Sequence, residues 1–169
     1  ARTFGDTIDA CAEGITGNEK LRETLIIGRE ELLAVGPIYV AEALRGELFA
    51  IPPVDDNLDD AKLIVGGLCR PDLIKLYEQY LVPKGKPGRN IYSDLLNAAL
   101  EECPFCGGIG TPKTLDHFLP KGKHPAFSIF PHNLVPSCRD CNMGEKGQGS
   151  ANLAEEMVLQ PYVDKDIFF

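Results

Sequence analysis

Cys103-Pro-Phe-Cys106, then Thr114-Leu-Asp-His-Phe-Leu-Pro-Lys121, then Asn133-Leu-Val-Pro-Ser-Cys-Arg-Asp-Cys-Asn142: this stretch holds four of the chain's six cysteines. Two Cys-x-x-Cys pairs are separated by thirty-one residues. Each pair forms a tight turn that aims two thiolates at one point, and Pro and Gly around the first pair suit such a turn. Cys103, Cys106, Cys138 and Cys141 therefore read as a tetrahedral four-cysteine zinc site. The competing readings are two disulfides or unrelated thiols. The paired spacing, and an N-terminus (Ala1-Arg-Thr-Phe-Gly-Asp) without an apolar run of signal type, argue against them. Four thiolates close the coordination shell, so this zinc is structural. It would hold together a segment too poor in apolar residues to fold alone. Cys11 and Cys69 stand apart and read as small buried hydrophobes.

The zinc does not need Asp116, His117, Asn133 or Asn142, which lie between and beside the cysteines. The texture around them is extended. Residues 114–119 suit a strand, 132–137 a second strand or extended segment, and a helix starts at Asn142 and runs to about Lys146. The order is strand, long loop, strand, helix.

Asp116-His117, Asn133 and Asn142, interleaved with two Cys-x-x-Cys pairs and followed by Lys146, resemble the HNH endonucleases, which have a ββα-metal fold. The resemblance covers roughly 103–148. It implies that Asp116 and Asn142 are ligands of a catalytic divalent ion. It also implies that His117 is the general base and that Asn133 orients it. Asn stands last where the strictest pattern has His, a variant also found in the HNH domains of RNA-guided DNA nucleases. Lys146 replaces a further His ligand of some members. Oxygen donors favour Mg2+ or Mn2+ over zinc. A neutral imidazole is matched to taking a proton near pH 7. Each role has a bland alternative: a surface acid, a structural histidine, a turn asparagine, a helix cap. Lys121, Lys123, Arg139 and Lys146 are the expected phosphate contacts. His124 and His132 read as loop residues.

Upstream, the chain reads as helical. Asn18 caps a helix carrying Leu21, Leu25, Ile26, Leu32 and Leu33. Gly36-Pro37 restarts a second one over 38–48. Residues 51–57 break the pattern, and 59–68 suit a short helix. Pro71 opens the clearest helix, with Leu73, Leu76, Tyr77, Tyr80 and Leu81 on one stripe. A last helix carries Ile91, Leu95, Ala99 and Leu100. These stripes read as core packing, without chemistry. The fold class expected is α+β: a mainly helical region (1–102), a zinc-stabilised ββα-metal module (103–150) and a C-terminal extension (151–169).

The net charge of −8 is unevenly spread: −7 over 1–102, +2 over 103–150 and −3 over 151–169. Affinity for nucleic acid comes largely from phosphate neutralisation, so contact is expected only near the cysteine-rich segment and the basic loop 83–90. The reading is a metal-dependent endonuclease acting on DNA, in a bacterial defence or mobile-element setting. The acidic helical region would serve to bind a partner protein. The alternative is a zinc-binding interaction module without activity, and a third reading puts RNA in the groove. No apolar run approaches the roughly 18 residues of a membrane span. A cytoplasmic location without membrane contact is expected. The chain starts at Ala1 and ends on Asp166-Ile-Phe-Phe169, as a trimmed part of a longer protein would.

Overall fold

The computed structural model describes residues 2–143 and 160–163. It is a mixture of helices and two small antiparallel sheets. Helix α1 (Phe4–Gly14) opens on a reciprocal cap: Asp6 N–H donates to Thr3 Oγ1 at 3.0 Å, and Thr3 N–H donates to Asp6 Oδ2 at 2.8 Å. Asn18 caps α2 (Glu19–Ile27), its Oδ1 accepting from Leu21 N–H at 3.2 Å.

The helix expected to run on to Leu33 instead breaks at Gly28, and a short α3 (Arg29–Leu33) follows. The cause is a backbone crossing. A Cβ on Gly28 would sit 2.0 Å from the Gly66 carbonyl oxygen, so the chain can pass there only as glycine. Helix α4 (Val35–Arg45) contains Pro37 in its first turn and stops at Gly46 in the left-handed region.

Residues 59–68 correct the expectation of a short helix. Leu63–Val65 (β1) and Leu68–Cys69 (β2) pair antiparallel. Gly66 and Gly67, at φ 57° and 73°, make the two-residue turn that matches strand twist. Helix α5 (Arg70–Lys75) follows with Pro71 in its first turn, then widens into a π-helical turn over Leu76–Leu81. The whole expected stripe is buried: Leu73, Leu76, Tyr77, Tyr80 and Leu81. Helix α6 (Gly88–Asn97) ends earlier than expected. Ala99 and Leu100 lie beyond it, and Leu100 takes φ 49° and is 84% exposed.

Then β3 (Thr114–His117) and β4 (Leu134–Ser137) pair antiparallel, with Asp116 opposite Val135 and His117 opposite Leu134. Helix α7 (Arg139–Met143) starts three residues before the expected Asn142. The strand–loop–strand–helix order is therefore present among the described residues. Lys146 and nearly all of 151–169 lie outside them.

A single apolar core runs from Phe4 to Val135, across the expected boundary at 102/103. Helix α6 packs on both β3 and β4, and α1 packs on α6 and the π-helical turn. The loop between β3 and β4 is itself nailed into the helices. Phe130 meets Phe4 and Tyr39 edge-on at 5.0 and 5.1 Å, and Phe127 meets Tyr39 at 5.2 Å. The basic loop at 83–90 spends cations on the fold. Lys86 donates to the Gly14 carbonyl at 2.8 Å, and Arg89 donates to the Val82 carbonyl at 2.6 Å while stacking on Tyr92.

Candidate functional site

The two Cys-x-x-Cys turns meet. The sulfurs of Cys103, Cys106, Cys138 and Cys141 all lie within 4.8 Å of one another, and all six cysteines are free thiols. A tetrahedral ion with metal–sulfur bonds of about 2.3 Å needs sulfurs about 3.8 Å apart, so small side-chain adjustments would complete a shell. The backbone is arranged for thiolates. Gly110 N–H points at Cys106 Sγ (3.3 Å) and Cys138 N–H at Cys103 Sγ (3.4 Å). Gly110 is required by space: a Cβ there would meet Cys138 Sγ at 2.6 Å. Burial, reinforced by the neighbouring sulfurs, pushes the Cys141 thiol well above its usual range. Four negative charges cannot share this space without a cation. The cluster could hold a metal such as zinc.

Cys141 and Asn142 sit side by side on α7, which carries one toward the sulfur cluster and the other to a cleft. Asn142 Nδ2 donates to Thr114 Oγ1 at 2.8 Å, tying α7 to the start of β3. The cleft has a volume of about 620 Å³, and Asp116, His117, Asn142, Lys121 and Lys123 line it together. Neighbouring residues on a regular strand face opposite ways. Asp116 and His117 nevertheless both reach this cleft, Asp116 half-buried and His117 buried.

His117 is held from below. Its Nε2 lies 2.9 Å from the Ser128 carbonyl oxygen. A carbonyl can only accept, so Nε2 carries the proton and, in the neutral ring, Nδ1 carries the lone pair. Asn133 is fully buried and acts on the loop that presents that carbonyl. Its Oδ1 accepts from Leu119 N–H at 2.7 Å, and its Nδ2 donates to the Leu119 and Phe127 carbonyls at 3.0 and 3.1 Å. Leu119 follows His117 by two residues and Phe127 precedes Ser128. One amide thus clamps both arms of the loop around the imidazole.

The expected phosphate contacts are differently placed. Lys121 Nζ lies 3.4 Å from Glu78 Oε1, and Lys123 pairs with Asp56. Arg139 is exposed on the first turn of α7. Lys146 lies outside the described residues. His124 is buried, and that burial lowers its pKa from 6.5 to about 4, with Lys123 adding to the effect.

Sequence reading missed one wall of the cleft. Asp56, Arg70, Ile74, Tyr77 and Glu78, all from the region read as structural, line it opposite the strand. Arg70 is committed to the loop before it, donating to Asp60 and to the carbonyls of Asp55 and Leu58. Tyr77 and Glu78 sit on the π-helical turn. Such widened turns are frequent at functional sites, but the apolar stripe carries no sign of one.

The chain is similar to the protein ea31 of Escherichia phage lambda, being 44% identical over 169 residues. The match covers all of this chain and 56% of the relative, so the chain spans about half the length of the curated relative it matches. No family model matches the chain, and no solved structure matches it.

Proposed function

We propose that this chain is a metal-dependent endonuclease of the HNH type, with β3, β4 and α7 as its ββα-metal module. DNA is the substrate class put first. The observation that carries the reading is the convergence of Asp116, His117 and Asn142 on one cleft, beside a four-sulfur cluster that ties down the helix bearing Asn142.

In this reading the cysteines hold a structural zinc. Asp116 and Asn142 would supply oxygens to Mg2+ or Mn2+, and the ion would neutralise charge on the phosphate and on the departing 3′ oxygen. His117 accepts the proton of the attacking water at Nδ1, because Nε2 is committed to the Ser128 carbonyl. The water oxygen forms the new bond to phosphorus, the bond to the 3′ oxygen breaks, and that oxygen takes a proton from solvent. Asn133 keeps the loop, and with it the imidazole, from turning. Lys121, Lys123, Arg139 and Lys146 contact the phosphate backbone. For the first two, phosphate must displace Glu78 and Asp56. The lysines are half-buried but both acids are exposed, and ion pairs open to solvent hold by about 0–1 kcal/mol, so the exchange is cheap. The acidic remainder of the chain leaves strong DNA affinity to a partner protein.

The test is cleavage of plasmid and of single-stranded DNA and RNA by the wild type and by His117→Ala, with Mg2+, Mn2+ or EDTA. Metal-dependent cleavage that the variant lacks supports the reading, and the preferred polymer names the substrate. A well-folded, metal-loaded wild type that cleaves none of them overturns it in favour of an inactive zinc-binding module.

A further inference from the structure

Leu115 stands one residue before Asp116-His117, and its backbone is secured by the helical region. In the strand register it faces Pro136; counting back from the bonded pair Phe118–Asn133, this is a pair whose main-chain groups point away from the partner strand. Leu115 N–H donates to Tyr92 Oη at 3.1 Å, and the Leu115 carbonyl accepts from Tyr77 Oη at 3.1 Å. Two tyrosine hydroxyls thus take both main-chain groups of the residue that leads into the site. Tyr92 comes from α6 and Tyr77 from the π-helical turn, and both are buried.

Tyr77 does more than hold the strand. Its ring meets the His117 imidazole edge-on, with centroids 4.3 Å apart and planes at 69°. The Ser128 carbonyl pins one edge of that imidazole, and Tyr77 closes off rotation of the ring. The π-helical turn ends with Val82 N–H bonding back to the Tyr77 carbonyl at 3.0 Å. Burial, with Tyr92 and Asp116 adding to it, pushes the Tyr77 phenol above its ordinary range. The hydroxyl therefore stays protonated as a donor and does not compete with His117 as a base.

We propose that Tyr77 is a positioning residue for the His117 imidazole, supplied by the helical wall and acting through its ring on the base and through its hydroxyl on the strand. The proposal rests on the nuclease reading above for its consequence in catalysis, but the imidazole's orientation can be read without activity. Displacing a reacting group by about 1 Å costs on the order of 10²-fold in rate. Tyr77→Leu should therefore lower kcat by about that factor, with KM unchanged. Tyr77→Phe keeps the ring and loses one hydrogen bond, and should lower kcat about fivefold.

The experiment uses the full chain loaded with zinc: wild type, Tyr77→Phe, Tyr77→Leu and His117→Ala. Steady-state DNA cleavage is measured alongside histidine-selective NMR, with His117→Ala assigning the resonances. In Tyr77→Leu the His117 ring protons should lose the shift imposed by the neighbouring aromatic ring, and Tyr77→Phe should retain it. Unmoved His117 resonances in Tyr77→Leu overturn the proposal. So does a loss of cleavage carried entirely by KM. If Tyr77→Leu does not fold, Tyr77→Phe decides, and an unchanged kcat overturns it. A wild type that cleaves nothing ends the nuclease reading alone, because the NMR shifts still show whether Tyr77 holds the imidazole.

Discussion

Around Cys103 the backbone is held by sulfur, and around His117 it is held by rings and amides. The segment from Cys103 to Gly110 offers little to a core. Ile109 is 92% exposed, and Pro104, Phe105 and Cys106 are only half-buried. Beyond Gly110, the residues Leu115, Phe118, Leu119, Phe127, Ile129 and Phe130 are all buried in the common core. The two regions share one hairpin, yet one offers four sulfurs that could hold a cation and the other rests on apolar burial. Their failures should therefore be separable. Losing the metal should loosen α7 and its Asn142, while the loop under His117 stays seated in the helices.

The largest expected effect breaks the sulfur side. Cys138→Ser should abolish stoichiometric zinc, because structural zinc binding is itself folding free energy of about 10–16 kcal/mol in small metal domains. Elemental analysis and thermal melting check this. Full zinc content with an unchanged melting temperature would remove the cluster from the account. Next comes the cleft. His117→Ala should lower cleavage by about 10²–10⁴-fold, the usual worth of a placed general base. Its zinc content should equal that of the wild type, and a joint loss would mean the two regions are one.

Gly110→Ala is a milder probe of the sulfur side. The added methyl meets Cys138 Sγ at 2.6 Å, and overpacking of this sort costs about 1–3 kcal/mol. Zinc release to a competing chelator should speed up while the His117 NMR signals stay in place. A pH titration sharpens the other side. His124 is buried neutral, with its pKa lowered from 6.5 to about 4. The unfolded chain binds more protons in that interval, so stability falls as pH drops from 6.5 toward 4. His124→Gln should flatten that limb of the melting curve relative to wild type. An identical pH dependence in the variant would show the group does not contribute. The smallest effect concerns the cleft mouth. Glu78→Gln frees Lys121 from its pair and should tighten DNA binding by a few-fold, in line with surface ion pairs worth about 0–1 kcal/mol. Weaker binding in a salt titration would reverse the role given to that acid.

What could be read in the chain follows the range of the interactions. The cysteine turns are local and declare themselves by spacing, and their four sulfurs do meet. Asn18 as a cap and the stripe from Leu73 to Leu81 are equally local, and both stand. The hairpin at 63–69 was misread as a helix because a short apolar run satisfies either period. The Gly66-Gly67 pair carried the deciding signal. The break at Gly28 was hidden because its cause, Gly66, lies far off in the chain. The helical wall of the cleft was illegible for the same reason. Tyr77 and Tyr92 look like core residues until the distant carbonyl and amide of Leu115 are brought to their hydroxyls. The pairing of Lys121 and Lys123 with Glu78 and Asp56 likewise depends on a meeting of remote segments.

The order of these pieces along the chain sets a timetable for synthesis. Everything that forms the helical wall, from Phe4 to Asn97, leaves the ribosome before β3 does. The N–H of Cys138 reaches back thirty-five positions to the Cys103 sulfur, so the sulfur cluster is incomplete until Cys141 has emerged. Asn142 is the very next residue. A nascent chain can thus hold a folded scaffold, a seated His117 and two waiting thiols while its cleft still lacks a side. Cys141 and Asn142, neighbours on α7, join the two regions at nearly the same moment, and until then the cell carries the scaffold without its assembled site.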